Sequence, residues 1–157
     1  MGSEKAIERL DWFVDAEFAV HPDMKGHTGM AMKFRGGTGA PLTTSVKQKL
    51  NTSSSTTCEL VAVDQVLPLV LWTPLFLKEQ GVEVKENVLH QDNKSRILLE
   101  ENGKHSSGKR TRALDIRYFM VTDQVERGNV SITYCPTDDM VGDFMSKGLT
   151  GLKFAKF

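Results

Sequence analysis

Residues 12–20 read WFVDAEFAV, a run that is apolar except at Asp15 and Glu17. Such a run marks a strand buried on both faces, as central strands of α/β sheets are. Its carboxylates are out of place there, because an ionised side chain taken out of water is costly unless it is paired or binds a metal. Working outward, His21-Pro22-Asp23 makes a turn, and a hairpin follows with arms at 28–34 and 41–46 joined by Gly36-Gly37-Thr38-Gly39. The polar run 51–57, rich in Ser and Thr, suits a helix N-cap. The helix it opens is predicted over 55–79, with Leu60, Val63, Leu67, Val70 and Leu71 on one face and Gly81 past its end. Pro68 and Pro74 predict a kink or break near each, since proline lacks the N–H that an interior position donates.

Beyond that helix, NVLHQ at 87–91 reads as a strand that stops at Asp92-Asn93, and 95–101 as a short helix. KHSSGKRTR at 104–112 is polar and basic, hence an exposed loop. Residues 114–127 carry apolar positions at Leu114, Ile116, Tyr118, Phe119, Val121 and Val125, compatible with an amphipathic helix stopped by Gly128. A strand at 130–134 and a last helix at 138–147, with Met140, Val141, Phe144 and Met145 turned inward, complete the reading. Trp12, Trp72, Phe76, Tyr118 and Phe119 are expected in the core. The order of elements fits an α/β sandwich with a mixed sheet.

With 157 residues, 39% of them hydrophobic, the chain can bury one sizeable core. Its 20 basic and 20 acidic residues cancel, so net charge does not announce a nucleic-acid partner, and any basic footprint must be local. The longest apolar stretch, around 66–72, falls short of the roughly 20 residues a bilayer span requires, and no membrane is expected. The opening MGSEKAIERLDW is charged and lacks the apolar core of a signal peptide. Cys58 and Cys135 read as free buried thiols of a reducing compartment rather than as a disulfide. The histidines at 21, 27, 90 and 105 are scattered and read as surface or hydrogen-bonding groups.

Four acids sit at odd places: Asp15 inside the first strand, Glu59 in the first turns of the long helix, Asp92 at a strand end, and Asp143 between Gly142 and Phe144. Any one of them alone reads most simply as a solvated acid or a turn former. If they converge they repel one another, and oxygen-only ligands favour Mg²⁺ or Mn²⁺ over zinc. Two such ions about 4 Å apart can activate water and stabilise the leaving oxygen in phosphodiester cleavage.

Five segments in order resemble the ribonuclease H domain that ends Copia-type retrotransposon polyproteins. FVDAEFAV with HPDMKGHTG resembles the family's opening strand and hairpin, and SVKQKLNTSSSTTCELVAV its S-x-K-Q…S-S-T-E-A-E segment. VLHQDNKSRILL matches its Q-D-N-x-S segment, and RTRALDIRYF…TYCPTDDMVGDFMSKGL its closing block of H-I-D-I-R-Y, Y-x-P-T and A-D-x-x-T-K. The resemblance spans about 11–157, leaving 1–10 as an N-terminal flank. It implies an RNase H-like fold, a five-stranded mixed sheet with helices on both faces. It also implies a nuclease that cuts the RNA of RNA–DNA hybrids during reverse transcription, with Asp15, Glu59, Asp92 and Asp143 as catalytic acids holding two Mg²⁺ or Mn²⁺ ions.

A reverse transcriptase domain would precede this one, so the chain is expected to be part of a longer polyprotein acting inside the cell, in retrotransposon particles. Substrate contacts are expected from Ser45, Lys47, Gln48 and Asn93 and from the basic Lys109, Arg110 and Arg112, directed at phosphates and 2′-hydroxyls. Lys49, Lys104 and Asn51 are further candidates. The chain departs from the family at Ala113 (His there), Thr57 (Glu), Glu17 (a small residue) and Ser146 (Thr). Such changes suit a decayed copy, so the alternative is a silent domain that only binds nucleic acid or supports a polyprotein.

Overall fold

The computed structural model describes residues 5–92 and 112–147. Strand β1 (Lys5–Glu17) is the middle of a five-stranded sheet with β2 (His27–Phe34), β3 (Leu42–Lys47), β4 (Val82–Gln91) and β5 (Ser131–Tyr134), in the order β3-β2-β1-β4-β5. The β1–β2 and β2–β3 pairs are antiparallel, and the β1–β4 and β4–β5 pairs are parallel. Side chains alternate across a strand. Leu10, Trp12, Val14 and Ala16 therefore share one face, and Asp11, Phe13 and Asp15 the other. Both faces of β1 are largely buried, as its apolar run requires.

Helix α1 (Ser55–Glu79) covers the Leu10/Trp12/Val14 face, where Leu60, Val63, Val66, Leu67 and Val70 meet Met30, Met32 and Leu89. Helix α2 (Arg112–Glu126) packs on α1 and adds Val121, and Arg117 pairs with Asp64 across the two helices. A 3₁₀ turn (Thr137–Asp139) leads to the short α3 (Gly142–Ser146), which lies on the opposite face, over β1, β2 and β3. This is the mixed sheet with helices on both faces that the sequence led us to expect. Neither cysteine is in a disulfide, and both are buried.

The predicted limits of α1 hold, and Ser54 caps it by accepting the Thr57 N–H at 3.2 Å. The expected break at the prolines does not occur, because α1 runs on through Pro68 and Pro74. Pro74 has no N–H for the Val70 carbonyl, and Asn87 of β4 supplies the missing donor from its Nδ2 at 2.8 Å. The same amide donates to the Asn129 carbonyl at 3.1 Å, and its oxygen accepts from the buried Trp12 indole at 2.7 Å.

Other limits shift. β1 begins at Lys5, so residues 5–10, expected in a flank, belong to the sheet, and Leu10 lies in the core. β4 likewise begins at Val82 rather than 87. The two additions are one event, since Lys5–Arg9 pairs with Val82–Glu86 in parallel and Lys85 bonds Glu8 across the ladder. Each half, KAIER and VEVKE, mixes charge with small apolar residues and reads as solvated until its partner is beside it. The last helix is confined to 142–146, with Thr137–Asp139 forming a separate turn.

Trp72, Phe76 and Phe119, expected in the core, are exposed, Trp72 by 54% and Phe119 by 70%, and Trp72 and Phe76 stack at 4.8 Å. The amphipathic reading of α2 placed Ile116 inside as well, and it too is exposed. α1 is long and apolar enough, by length and composition, to cross a membrane, whereas the sequence reading counts only the shorter uninterrupted run at 66–72; here one face of the helix is buried on the sheet. The helix predicted at 95–101 and the loop at 104–111 lie outside the described residues.

Asn87→Leu should remove three hydrogen bonds at once and leave the Trp12 N–H and the Val70 carbonyl unsatisfied. A loss of about 2–4 kcal/mol in urea unfolding is expected. A loss under about 0.5 kcal/mol, the size of an ordinary surface substitution, would remove Asn87 from this role.

Candidate active site

Asp15 lies two residues from the end of β1 and is 1% exposed. Its partner across the β1–β2 ladder is Gly29. That glycine allows α3 to approach. A Cβ there would meet the Ser146 nitrogen at 2.4 Å and the Gly142 oxygen at 2.5 Å. Gly142 does the same from the helix side, where a Cβ would stand 2.9 Å from the Phe13 oxygen. Two glycines thus bring a helix backbone onto a sheet backbone, and Asp143 (0% exposed) is buried at this contact.

Three acids converge. Asp15 from β1, Glu59 from the first turns of α1 and Asp92 just past β4 each bring a carboxylate oxygen within 4.8 Å of the others. Among the described residues this is the one trio of His, Cys, Asp or Glu gathered so closely. Thr137 donates to Asp92 at 3.3 Å. Asp143 stands outside the trio but is joined to Asp15 through Lys147, whose Nζ bonds Asp143 and lies 3.2 Å from Asp15 Oδ2. Ser146 Oγ donates to that same Asp15 oxygen. The donor set is all carboxylate oxygen and crowded with negative charge, which fits a hard divalent cation and disfavours zinc.

Burial pushes Asp15 up to about 6, and the charge of Asp143 adds to the rise, while Ser146 and Lys147 oppose it. Burial alone would lower Lys147, but Asp143 and Asp15 overcome this and hold its ammonium above the usual lysine range.

Beside the acids, two histidines read as scattered form a directed chain. Ser45 donates its one hydroxyl proton to the Met145 carbonyl at 2.7 Å, so it must accept from His27 Nε2 at 2.9 Å. His27 Nδ1 is then an acceptor, and His21 Nε2 donates to it at 3.0 Å. Burial and the neighbouring His21 lower the pKa of His27, consistent with a neutral ring. The chain ties the β1–β2 turn to α3. That turn holds Ala19 and Met24 in the left-handed region, at φ 53° and 61°.

The expected substrate contacts separate. Ser45 is exposed but engaged as described, and Lys47 is exposed and paired with Asp23 at 2.7 Å. Gln48 is corrected: it is 1% exposed, and its amide donates to Thr28 at 3.1 Å and to the Cys58 carbonyl at 2.7 Å, so it joins β2 to α1. Asn93, Lys109 and Arg110 lie outside the described residues, as does the side chain of Arg112, the first residue of α2. Of the departures, Thr57 joins the α1 cap, Ser146 bonds Asp15, and Glu17 pairs with His27 on the Asp15 face. Lys147 was missed, although a cation four residues after a helical acid signals a pair.

No family model matches the chain. Its structure is similar to an RNase H1 isolated from compost by a metagenomic approach, with a TM-score of 0.65 and 13% identity over 88% of this chain and 92% of that one. The crystal structure of that enzyme in complex with an RNA/DNA hybrid gives 0.60 and 13% identity over 87% and 92%. The solution structure of the foamy virus RNase H domain gives 0.57 and 13% identity over 87% and 88%. The chain has the RNase H-like fold.

The raised Asp15 sets the sign of one pH effect. Its folded value, about 6, exceeds the ordinary 3.8, so the folded state holds this proton more tightly than the unfolded chain does. Stability from this group is present below about pH 4 and is lost as pH rises to about 6, the reverse of a salt-bridged acid. In EDTA, wild type should fall relative to Asp15→Asn by up to about 3 kcal/mol across that window and then level off. A constant difference in urea unfolding from pH 4 to 7 would contradict it.

Proposed function

We propose that the chain is a divalent-metal-dependent nuclease that hydrolyses the RNA strand of RNA–DNA hybrids, as the ribonuclease H domain of a Copia-type retrotransposon polyprotein. The observation that carries this reading is the meeting of Asp15, Glu59 and Asp92 from three separate elements at one end of the sheet, with Asp143 beside Asp15. The similarity to an RNase H1 seen with a hybrid supports it. The family motifs in order support the retrotransposon setting, an upstream reverse transcriptase domain, and action inside the cell in retrotransposon particles, away from membranes.

On this reading Asp15, Glu59, Asp92 and Asp143 hold Mg²⁺ or Mn²⁺, two ions in all. Bound there, the metal supplies Lewis-acid polarisation of the phosphate and an activated water. The protein's own groups prepare the site. Ser146 fixes one Asp15 oxygen by donating to it, and Thr137 orients Asp92. The His21–His27–Ser45 chain holds α3, and with it Asp143, against the sheet. Ser45, Lys47, Asn93, Lys109, Arg110 and Arg112 then meet the hybrid backbone.

The test is a labelled RNA–DNA hybrid incubated with Mg²⁺, Mn²⁺ or EDTA, beside single-stranded RNA and duplex DNA. Cleavage confined to the RNA of the hybrid, requiring metal and abolished by Asp92→Asn, is expected. Cleavage undiminished in that variant would sink the reading. Ala113, where the family has His, is expected to limit the rate. Ala113→His should raise Mn²⁺-dependent cleavage by roughly 10²–10⁴-fold if the imidazole transfers a proton, or about tenfold if it only positions a group. Hybrid binding with no cleavage in either form would favour the silent-domain alternative.

A further inference from the structure

Lys147 follows the last residue of α3 and is a cation that touches both Asp15 and Asp143, two buried acids. Its side chain is half-buried, with the ammonium turned inward. The Asp15 oxygen it approaches, Oδ2, also accepts from Ser146, so one oxygen of a candidate metal ligand is already committed to α3. Two carboxylates this dry and this close cannot both remain ionised without a cation among them.

We infer that Lys147 is a resident counter-cation: it holds Asp15 and Asp143 together when the site is metal-free and gives up Asp15 when a divalent ion binds, so that it sets the site's metal affinity. The inference rests on the metal reading above and adds to it a residue that opposes binding. An ammonium competing for Asp15 raises the ion concentration needed to fill the site. In exchange the metal-free fold avoids two uncompensated buried charges. A lysine suits this better than arginine, because a compact ammonium on a flexible stem can withdraw to solvent. The alternative role, contact with a substrate phosphate, needs no opposition to metal and predicts none.

The experiment is calorimetric titration of the wild type, Lys147→Met and Lys147→Arg with Mn²⁺ alone, at pH 8 so that the acids are ionised. Lys147→Met should bind Mn²⁺ roughly tenfold or more tightly than wild type, from the loss of a positive charge near the ion, and Lys147→Arg, which keeps the charge, should bind no more tightly than wild type. In EDTA the Met variant should melt lower than wild type, and saturating Mn²⁺ should close the gap. Because Lys147→Met can fail to fold, the wild type carries a second reading. Acetylation by acetic anhydride, followed by mass spectrometry, should increase at Lys147 on adding Mn²⁺, relative to the exposed Lys78. Wild type that binds Mn²⁺ with no change at Lys147 in either experiment overturns this inference alone. Failure of both wild type and Lys147→Met to bind Mn²⁺ overturns the metal reading with it. Weaker Mn²⁺ binding in Lys147→Met also overturns it, and would make the lysine a support of the site.

Discussion

Asp15 and Asp143 are carboxylates held out of water against one another, and much of this molecule is arranged around tolerating that. Their burial depends on a helix lying backbone to backbone on a sheet, which only glycine allows at both Gly29 and Gly142. It depends as well on α3 being fastened there, by Ser45 through Met145 and by Ser146 and Lys147 through Asp15. A Cβ on either glycine would push α3 off the sheet and free the acids to hydrate. The same change would uncouple them from the Glu59 and Asp92 side of the cluster. Electrostatic strain and close backbone contact are therefore two aspects of one arrangement, in which packing holds charges where they would not stay on their own.

On the opposite face the problem is polar satisfaction rather than charge. α1 carries two prolines through an otherwise regular apolar helix, and a proline in the interior leaves a carbonyl without its donor. Asn87 answers for Val70 and holds the Trp12 indole with the other end of its amide. Gln48 does comparable work nearer the acids, tying Thr28 of β2 to the first turns of α1 that present Glu59. A single amide on each side thus locks α1 to the sheet at two heights. The locking of α1 helps carry Glu59 to its place beside Asp15.

Much of this was legible in the residues. The limits of α1, the hairpin and the acids at element ends could be read because each leaves a local trace: a Ser/Thr cap, a glycine-rich turn, a carboxylate where an apolar residue belongs. What could not be read was of the kind that exists only between distant segments. The first halves of β1 and β4 are strands because each completes the other, and neither KAIER nor VEVKE alone alternates strongly enough to declare it. Gln48 looked like a substrate contact because a polar residue near a site carries no mark of its burial. Trp72 and Phe119 looked like core because aromatic character does not say which side of a helix faces out. The last helix was overdrawn for want of any signal that 137–139 would turn separately.

The distance along the chain between Asp15 and the residues that hold it has a consequence in time. Ser146 is 131 residues from Asp15, and Ser45 is 100 from the carbonyl it grips. During synthesis the sheet's first hairpin and α1 are made before α3, so Asp15 precedes by most of the chain the groups that bury it. Contacts spanning so many residues also close late in refolding, because their loop entropy is large and must be met all at once. The contact of Asp15 with Asp143 is thus assembled last, and a partly made chain can hold the other acids without it.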